Sequence, residues 1–434
     1  MNMRALEGKK IHFIGVNGTS ISALLELSAE LGATVSGSDQ TEGEYFDNLK
    51  RKGFDVYTGI NSEKSRNCDM VVYSGAVKEN HPERNNPNTI ERGRYLGFLS
   101  RFFKNAVAVA GTHGKTTTTA MISHVLKRAK KRFCYTFGGI DVEDNSNYGY
   151  FGDDLFVTEA CEYRNSFLSL YPTISVITSI EYDHPDFFTN FDELKRSFEI
   201  FAKNAKKCVV LGENVENVFE CSRANARIRA FDKEIEIIET NDCDFCSFRY
   251  AEKNFEIKLQ VGGKFNIKNA LLAFLTLTEI GIDTNEIIEG LRSFRGVKRR
   301  QEFLGYYGAK KCISDYAHHP TQIKELIDSF PATDRIAVIF EPHTYSRTKS
   351  LLSEFSTAFA KADKTIILPV YAAREPYDSA GDSKTLFDNI VSDNKTLAKN
   401  YDDAKKLIDT DNADVILFVG AGTIDDWARK LVSE

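Results

Sequence analysis

Short apolar runs that end in glycine-rich or acidic turns, each followed by a helical stretch, recur in three blocks along the chain. That alternation is the pattern of an α/β protein. The first block begins at Ile11-His12-Phe13-Ile14-Gly15 and predicts a helix over 21–31, a strand over 34–36 leading into Gly37-Ser38-Asp39, and a strand over 70–74. It resembles a nucleotide-binding α/β unit and ends near residue 105. The second opens with a strand over 106–110, a glycine turn and a helix from 116 to about 130, then strands over 155–158 and 174–180. Residues 226–261 alternate polar with β-branched or aromatic positions, as in Arg227-Ile228-Arg229-Ala230-Phe231 and Phe255-Glu256-Ile257-Lys258-Leu259. They predict a small, mostly antiparallel sheet, followed by a helix over 266–279. The third block starts near Gly296, with strands over 312–314, 336–340, 365–368 and 415–419, and a last helix carrying Trp427.

The expected domains are therefore 1–105, 106–296 and 297–434, in keeping with roughly 150 residues per domain. The expected fold class is α/β in three domains. The first is Rossmann-like, the second resembles a phosphate-loop ATPase with a small extra sheet, and the third is again Rossmann-like. No low-complexity tract or short-period repeat is present, which excludes a solenoid.

Composition narrows the partners rather than the fold. A net charge of -6 provides no general attraction for nucleic acid or an anionic membrane, so an anionic ligand must be held by a local site. Residues 1–16 lack the long apolar run and cleavage site of a signal peptide, and no apolar stretch is long enough to cross a bilayer. The expected location is cytoplasmic. The eight cysteines are scattered. Only Cys243 and Cys246 form a C-x-x-C pair, no second pair completes a zinc site, and reduced, buried thiols are expected.

The most specific local signal is Ala110-Gly111-Thr112-His113-Gly114-Lys115-Thr116-Thr117, between an apolar strand and a helix. That context is what a phosphate-binding loop requires. Backbone N–H groups at the helix N-terminus surround phosphate oxygens, Lys115 neutralises the β- and γ-phosphates, and the Thr116 hydroxyl reaches Mg²⁺. Val109 stands where the widespread pattern has glycine, so the loop is a shortened variant. Glu159 and Asp183-His184 follow predicted strands. In a parallel sheet these ends share one edge with the loop, which makes them candidate metal ligands. Gly15-Val16-Asn17-Gly18-Thr19-Ser20 is a weaker glycine turn, and Asp39 at the next strand end could bond a ribose hydroxyl. In the third block, Asp315-Tyr316-Ala317-His318-His319-Pro320 and Phe340-Glu341-Pro342-His343-Thr344-Tyr345-Ser346-Arg347 each lie at a strand end. Paired histidines beside an aspartate are also the ligand types of a transition-metal site.

Together these motifs, with Glu159-Ala160-Cys161-Glu162-Tyr163 and Tyr371-Ala372-Ala373-Arg374-Glu375, resemble the Mur ligase family over nearly the whole chain. The pattern of residues 342–348 is most similar to its alanine-adding branch. The resemblance implies an ATP- and Mg²⁺-dependent ligase of cell-wall precursor synthesis, acting on UDP-N-acetylmuramate and L-alanine through an acyl phosphate. It implies ATP contacts at Gly111, Thr112, His113, Gly114, Lys115, Thr116, Thr117, Asn266, Asn269, Arg300 and Asp315. Metal ligands are implied at Thr116, Glu159 and His184, and UDP-sugar contacts at Gly15, Gly18, Ser38, Asp39 and Ser74. Tyr316, His343 and Arg347 would hold the amino acid, and Lys115, Glu159, His184, Arg300 and His343 would carry the chemistry. Several sister ligases place a carbamylated lysine about where Glu199 stands here, and the alanine-adding branch is similar in lacking it. Two other readings stay open: a family member that attaches a whole tripeptide, and a non-catalytic phosphate-loop switch. Asp378-Ser379-Ala380-Gly381 mimics one switch motif but lies far from the loop, and no Asn-Lys-x-Asp motif follows.

Overall fold

The computed structural model describes residues 5–216, 226–241 and 244–433. The first sheet is parallel and holds β1 (Lys10–Ile14), β2 (Thr34–Asp39), β3 (Asp55–Thr58), β4 (Met70–Tyr73) and β5 (Thr89–Glu91) in the order β3-β2-β1-β4-β5. The order in which strands are added reverses between β1 and β4, and open α/β sheets bind ligands at such a switch point. Ile14 is in register with both Ser38 and Tyr73. Gly15, Asp39 and Ser74 therefore emerge side by side.

The central sheet contains β6 (Asn105–Ala110), β7 (Phe133–Thr136), β8 (Tyr148–Tyr150), β9 (Leu155–Glu159), β10 (Ile174–Ile177), β11 (Cys208–Leu211) and β12 (Arg227–Ala230). Their order is β12-β11-β10-β6-β9-β7-β8, with only β8 antiparallel to its neighbour. Val109 is paired with Glu159, and Ala110 with Ile177. These two registers bring Glu159 and residues 178–184 to either side of the loop that follows β6. Helix Lys115–Arg128 is buried from Thr116 to Leu126 and packs against helix Lys264–Ile280. Such burial on all sides explains why neither helix has a clean polar face.

A three-stranded antiparallel sheet follows: β13 (Glu236–Thr240), β14 (Phe245–Tyr250) and β15 (Lys253–Lys258). Arg227–Ala230 was expected there, but it pairs in parallel with β11 at the edge of the central sheet. Its alternation sets which side chains face inward, not which strand it pairs with. The tie is Arg229, 2 % exposed. Its guanidinium donates to Glu234, to the Leu275 carbonyl and to the Tyr250 hydroxyl.

The third sheet has β16 (Glu302–Tyr307), β17 (Lys310–Asp315), β18 (Ile336–Glu341), β19 (Lys364–Ile367), β20 (Lys395–Leu397) and β21 (Val415–Gly420) in the order β16-β17-β21-β18-β19-β20. Only β16 is antiparallel. Asp315 pairs with Val419 and Glu341 with Gly420, so Asp315 and residues 342–347 share an edge. Among the described residues no helix is long and apolar enough to cross a membrane. The described cysteines are free thiols, and Cys243 lies outside the described residues.

Candidate active site

Two close approaches shape the phosphate loop. Gly111 has φ +138° and a Cβ there would sit 2.0 Å from Thr178 Oγ1. Gly114 has φ +79° and a Cβ would meet Asn269 Oδ1 at 2.4 Å. Only glycine meets both demands. The strand expected over 174–180 stops at Ile177, because the next residues bond to the loop instead of continuing the ladder. Thr112 N donates to the Ser179 carbonyl and His113 N to Ser179 Oγ, each at 2.9 Å. Asn269 props Gly114 and accepts from Thr118 Oγ1 at 3.3 Å, and Asn266 anchors to the Gly262 carbonyl at 2.7 Å.

Lys115 Nζ donates to the Gly111 carbonyl at 2.5 Å and to Glu162 at 3.0 Å. Burial disfavours the ammonium, but Glu162 outweighs it and holds the Lys115 pKa above its ordinary value. Burial likewise works against the charge of Glu162, the more deeply buried of the two, but Lys115 and His184 outweigh it and hold its carboxyl below the usual range. Thr116 Oγ1 donates to Glu159 Oε2 at 2.8 Å, and Gly138 N donates to the same oxygen at 2.8 Å. A hydroxyl and a carboxylate in contact beside a phosphate loop are the hard oxygen donors that suit Mg²⁺. His184, with φ +57°, turns its Nε2 to within 3.5 Å of Glu162. The carboxylate nearest His184 is thus Glu162 rather than Glu159. Sequence reading passed over Glu162, although it stands in the same quoted motif.

The third domain closes this edge. Arg347 Nε donates to Asp183 Oδ1 at 3.0 Å with both side chains under 9 % exposed, and Arg347 Nη1 donates to the His343 carbonyl at 2.8 Å. Burial works against the Asp183 charge, but Arg347 dominates and holds its carboxyl well below the usual range. His343 is pushed down to about 4 by burial and by Arg347, so its imidazole is neutral at pH 7. Tyr371 stacks on His343 with ring centroids 5.6 Å apart. Glu375 accepts from Ser346 N at 2.9 Å and Thr344 Oγ1 at 2.6 Å, which fixes the turn that carries His343 and Arg347.

Arg300 lies between two residues with left-handed backbone, Arg299 (φ +59°) and Gln301 (φ +50°). Arg299 Nη2 donates to the Gly420 and Gly422 carbonyls, and Gln301 N to Asp315 Oδ2 at 2.7 Å. This over-determined loop holds the Arg300 guanidinium 5.0 Å from the Tyr316 ring centre. Burial pushes the Asp315 carboxyl up despite Arg300. Two cavities result. One of about 330 Å³ is lined by His113, Gly114, Thr117, Asn269, Arg300 and Asp315. The other, about 240 Å³, is lined by Lys115, Thr116, Glu159, His184, His343 and Arg347, with Tyr316 at its wall.

In the first domain, Gly15 (φ +90°) lies against Ser74, and Gly18 caps helix Thr19–Glu30. Asp39 accepts from Asn17 N at 2.8 Å. The Ser38 hydroxyl turns inward and donates to Glu83 at 2.6 Å. Fully buried Glu83 also accepts from Tyr57 OH at 2.7 Å and Asn61 N at 2.8 Å. Burial pushes its carboxyl up, but hydrogen bonds from His12, Ser38, Asn61 and Tyr57 win and hold it at about 2. A further cleft of about 140 Å³ runs between the first and central domains, past Ser20, Arg92, Gly138, Glu159 and Cys161.

Known proteins share these features. The chain matches the Mur ligase family, catalytic domain, over residues 10–104, the Mur ligase middle domain over 109–277, and the Mur ligase, glutamate ligase domain over 299–422. It is 37% identical to a UDP-N-acetylmuramate–L-alanine ligase of Clostridium acetobutylicum, with 98% of each chain covered. The chain belongs to the Mur ligase family. A second relative of this Mur ligase, the UDP-N-acetylmuramate–L-alanine ligase of Clostridium novyi, is 36% identical over 96% of this chain and 95% of its own. Among solved structures, a UDP-N-acetylmuramate-alanine ligase from Thermotoga maritima superposes with a TM-score of 0.82 at 28% identity, covering 98% of both chains. A murein peptide ligase from Psychrobacter arcticus shares the fold, with a TM-score of 0.71 at 22% identity and 98% of both chains covered. The α/β three-domain reading and the family reading made from sequence both hold.

Proposed function

We propose that this Mur ligase joins L-alanine to the lactyl carboxylate of UDP-N-acetylmuramate, with ATP converted to ADP and phosphate. The observation that carries the reading is the meeting, in one cavity, of a phosphate-loop lysine, a hydroxyl–carboxylate pair and a buried arginine from the third domain. A carboxylate does not react with an amine at neutral pH until its oxygen has been made a leaving group. The lactyl oxygen therefore attacks the γ-phosphorus, ADP leaves, and an acyl phosphate forms. The alanine nitrogen then attacks the acyl carbon and phosphate departs.

Lys115 and Arg300 stabilise the charge that spreads over the phosphoryl oxygens. Thr116 and Glu159 would hold Mg²⁺ and His184 a second ion, and such ions would supply positive charge against the phosphates and the substrate carboxylate. Asn269 and Asp315 border the cavity beside the loop, on the side where the nucleoside of ATP would lie. Gly15, Gly18, Asp39 and Ser74 mark the sugar-nucleotide end, and the cleft past Ser20 and Gly138 leads from there to Glu159. Ser38 contributes through Glu83 rather than by its own hydroxyl. Arg347 supplies positive charge for the alanine carboxylate. His343, neutral with a pKa near 4, is too weak a base to take the ammonium proton and acts as a hydrogen-bonding wall. Names and identities of the relatives favour alanine over a tripeptide as the added group. We place the enzyme in the cytoplasm, where ATP is available.

Phosphate release from ATP, with UDP-N-acetylmuramate and each amino acid offered in turn, tests this. Release should require the sugar nucleotide and a divalent cation and be fastest with L-alanine. Faster turnover of a tripeptide, or release independent of the sugar nucleotide, would overturn it.

A further inference from the structure

One polar cluster bridges the central and third domains at the wall of the nucleotide cavity, and the steps above give its side chains no role. His113 of the phosphate loop, Glu181 beyond β10 and His319 at the start of helix Pro320–Asp328 each bring one ligand atom within 4.8 Å of the others. His113 Nε2 lies 3.3 Å and His319 Nδ1 3.9 Å from Glu181 Oε2. Ligand atoms around a tetrahedral ion with bonds of about 2.0–2.1 Å stand about 3.3 Å apart, so small side-chain shifts would close the trio on an ion.

The surrounding contacts are those that orient metal ligands. His319 Nε2 faces the Tyr182 carbonyl at 3.3 Å. That contact places the ring proton on Nε2 and leaves Nδ1 as the acceptor, which takes the helix-cap hydrogen bond from Thr321 N at 3.3 Å and lies 3.9 Å from Glu181 Oε2, so an ion on Nδ1 would replace the cap bond. An imidazole that donates its other N–H to a carbonyl is the usual outer contact of a metal-bound histidine. The Thr321 hydroxyl donates to Glu181 Oε2 at 2.8 Å and steers the carboxylate. His113 Nδ1 is buried without a hydrogen-bond partner, whereas buried polar atoms ordinarily have one. The other nitrogen, Nε2, is the one turned to Glu181.

We propose that His113, Glu181 and His319 form a site for a borderline transition-metal dication, Zn²⁺ above all, that clamps the third domain onto the phosphate loop. Two imidazoles and one carboxylate select Zn²⁺, Co²⁺ or Ni²⁺ over Mg²⁺, so the site is chemically distinct from the Thr116–Glu159 pair. Because His113 stands between Gly111 and Gly114, the ion couples domain closure to the loop. Bound Zn²⁺ raises thermal stability and slows the exchange of nucleotide.

Co²⁺ titration of the chelator-treated full chain, without nucleotide, tests the proposal. One equivalent should bind with tetrahedral d–d absorption and no thiolate charge-transfer band, and Zn²⁺ should displace it. Glu181→Gln keeps an acceptor for Thr321 and His319→Asn keeps a helix cap, so both should fold. Each should weaken binding about 100-fold or more, and Thr321→Val about tenfold, as losses of inner and outer contacts do. The Zn²⁺-dependent rise in unfolding temperature should vanish in Glu181→Gln. Wild-type binding in both ligand variants, a thiolate band, or no Co²⁺ or Zn²⁺ binding by the wild type would overturn the site.

Discussion

The first and central sheets are both parallel and both present strand ends at one edge, yet they use buried carboxylates in opposite ways. Glu83 of the first domain is fully buried, accepts hydrogen bonds from Ser38, Tyr57 and Asn61, and has the buried His12 ring 3.6 Å away, with no lysine or arginine paired to it among the described residues. Glu162 of the central domain is 2 % exposed but is balanced by Lys115 and faces His184. A carboxylate satisfied by donors fixed in the fold is a pin for the loops around it. One satisfied by a lysine ammonium is held by a partner that can move to a phosphate when one arrives. The same burial therefore marks structure at one edge and chemistry at the other, and the long lysine side chain tells them apart.

The comparison is broken most severely by removing the lysine. Lys115→Met should lower turnover by about 100-fold or more, the usual effect of losing a donor of about 3 kcal/mol, read as phosphate release with all substrates. It should also strand a buried carboxylate and cost about 3–5 kcal/mol in urea unfolding. Adding Glu162→Gln should recover most of that stability and none of the turnover. Recovery of turnover as well would mean that Lys115 serves Glu162 rather than a phosphate.

The buried pair Asp183–Arg347 joins the two domains, and its removal comes next. A cycle of Asp183→Asn and Arg347→Met should give a coupling of about 1.5–7 kcal/mol, the range of close charge pairs across interfaces. Arg347→Met should raise the L-alanine KM. Small-angle scattering should show both variants compacting less with an ATP analogue, with Gly296 (φ +104°) in the linker taking up the rotation. Independent, additive effects would place the closing contact elsewhere.

Glu83→Gln should be milder, about 1–3 kcal/mol for one unsatisfied buried group, with weaker sugar-nucleotide binding by calorimetry and little change in kcat. Its pH dependence has a definite sign. The folded carboxyl is held at about 2, below an unfolded value of roughly 4.3. Its contribution is therefore complete above about pH 4.3 and is lost as pH falls through about 2. Urea midpoints of wild type and variant should thus differ most at neutral pH and converge on acidification. A gap that widens in acid would contradict the pin. The smallest effect belongs to the opposite end of the central sheet, where exposed Lys104 pairs with Asp154. Lys104→Ala should leave turnover and melting temperature unchanged within error, since exposed pairs are screened by solvent.

Sequence alone determined what is local. The phosphate loop is contiguous, its glycines are demanded by close approaches to Thr178 and Asn269, and its strand–turn–helix setting can be read in one window. Strand ends at Glu159 and Asp315 were legible for the same reason, because parallel strands deliver their ends to a common edge. Tertiary structure alone decided the pairings. Asp183 and Arg347 are 164 positions apart, and Ser38 and Glu83 are 45 apart. No local propensity signals such partners, because they depend on how separate sheets dock. Glu162 stood in plain view beside Glu159, but only the packing of the turn after β9 revealed that it balances Lys115. Arg227–Ala230 shows the same limit within one domain. Alternation tells which face of a strand is buried, and the choice between an antiparallel neighbour and the parallel edge of the central sheet was settled by the buried contacts of Arg229.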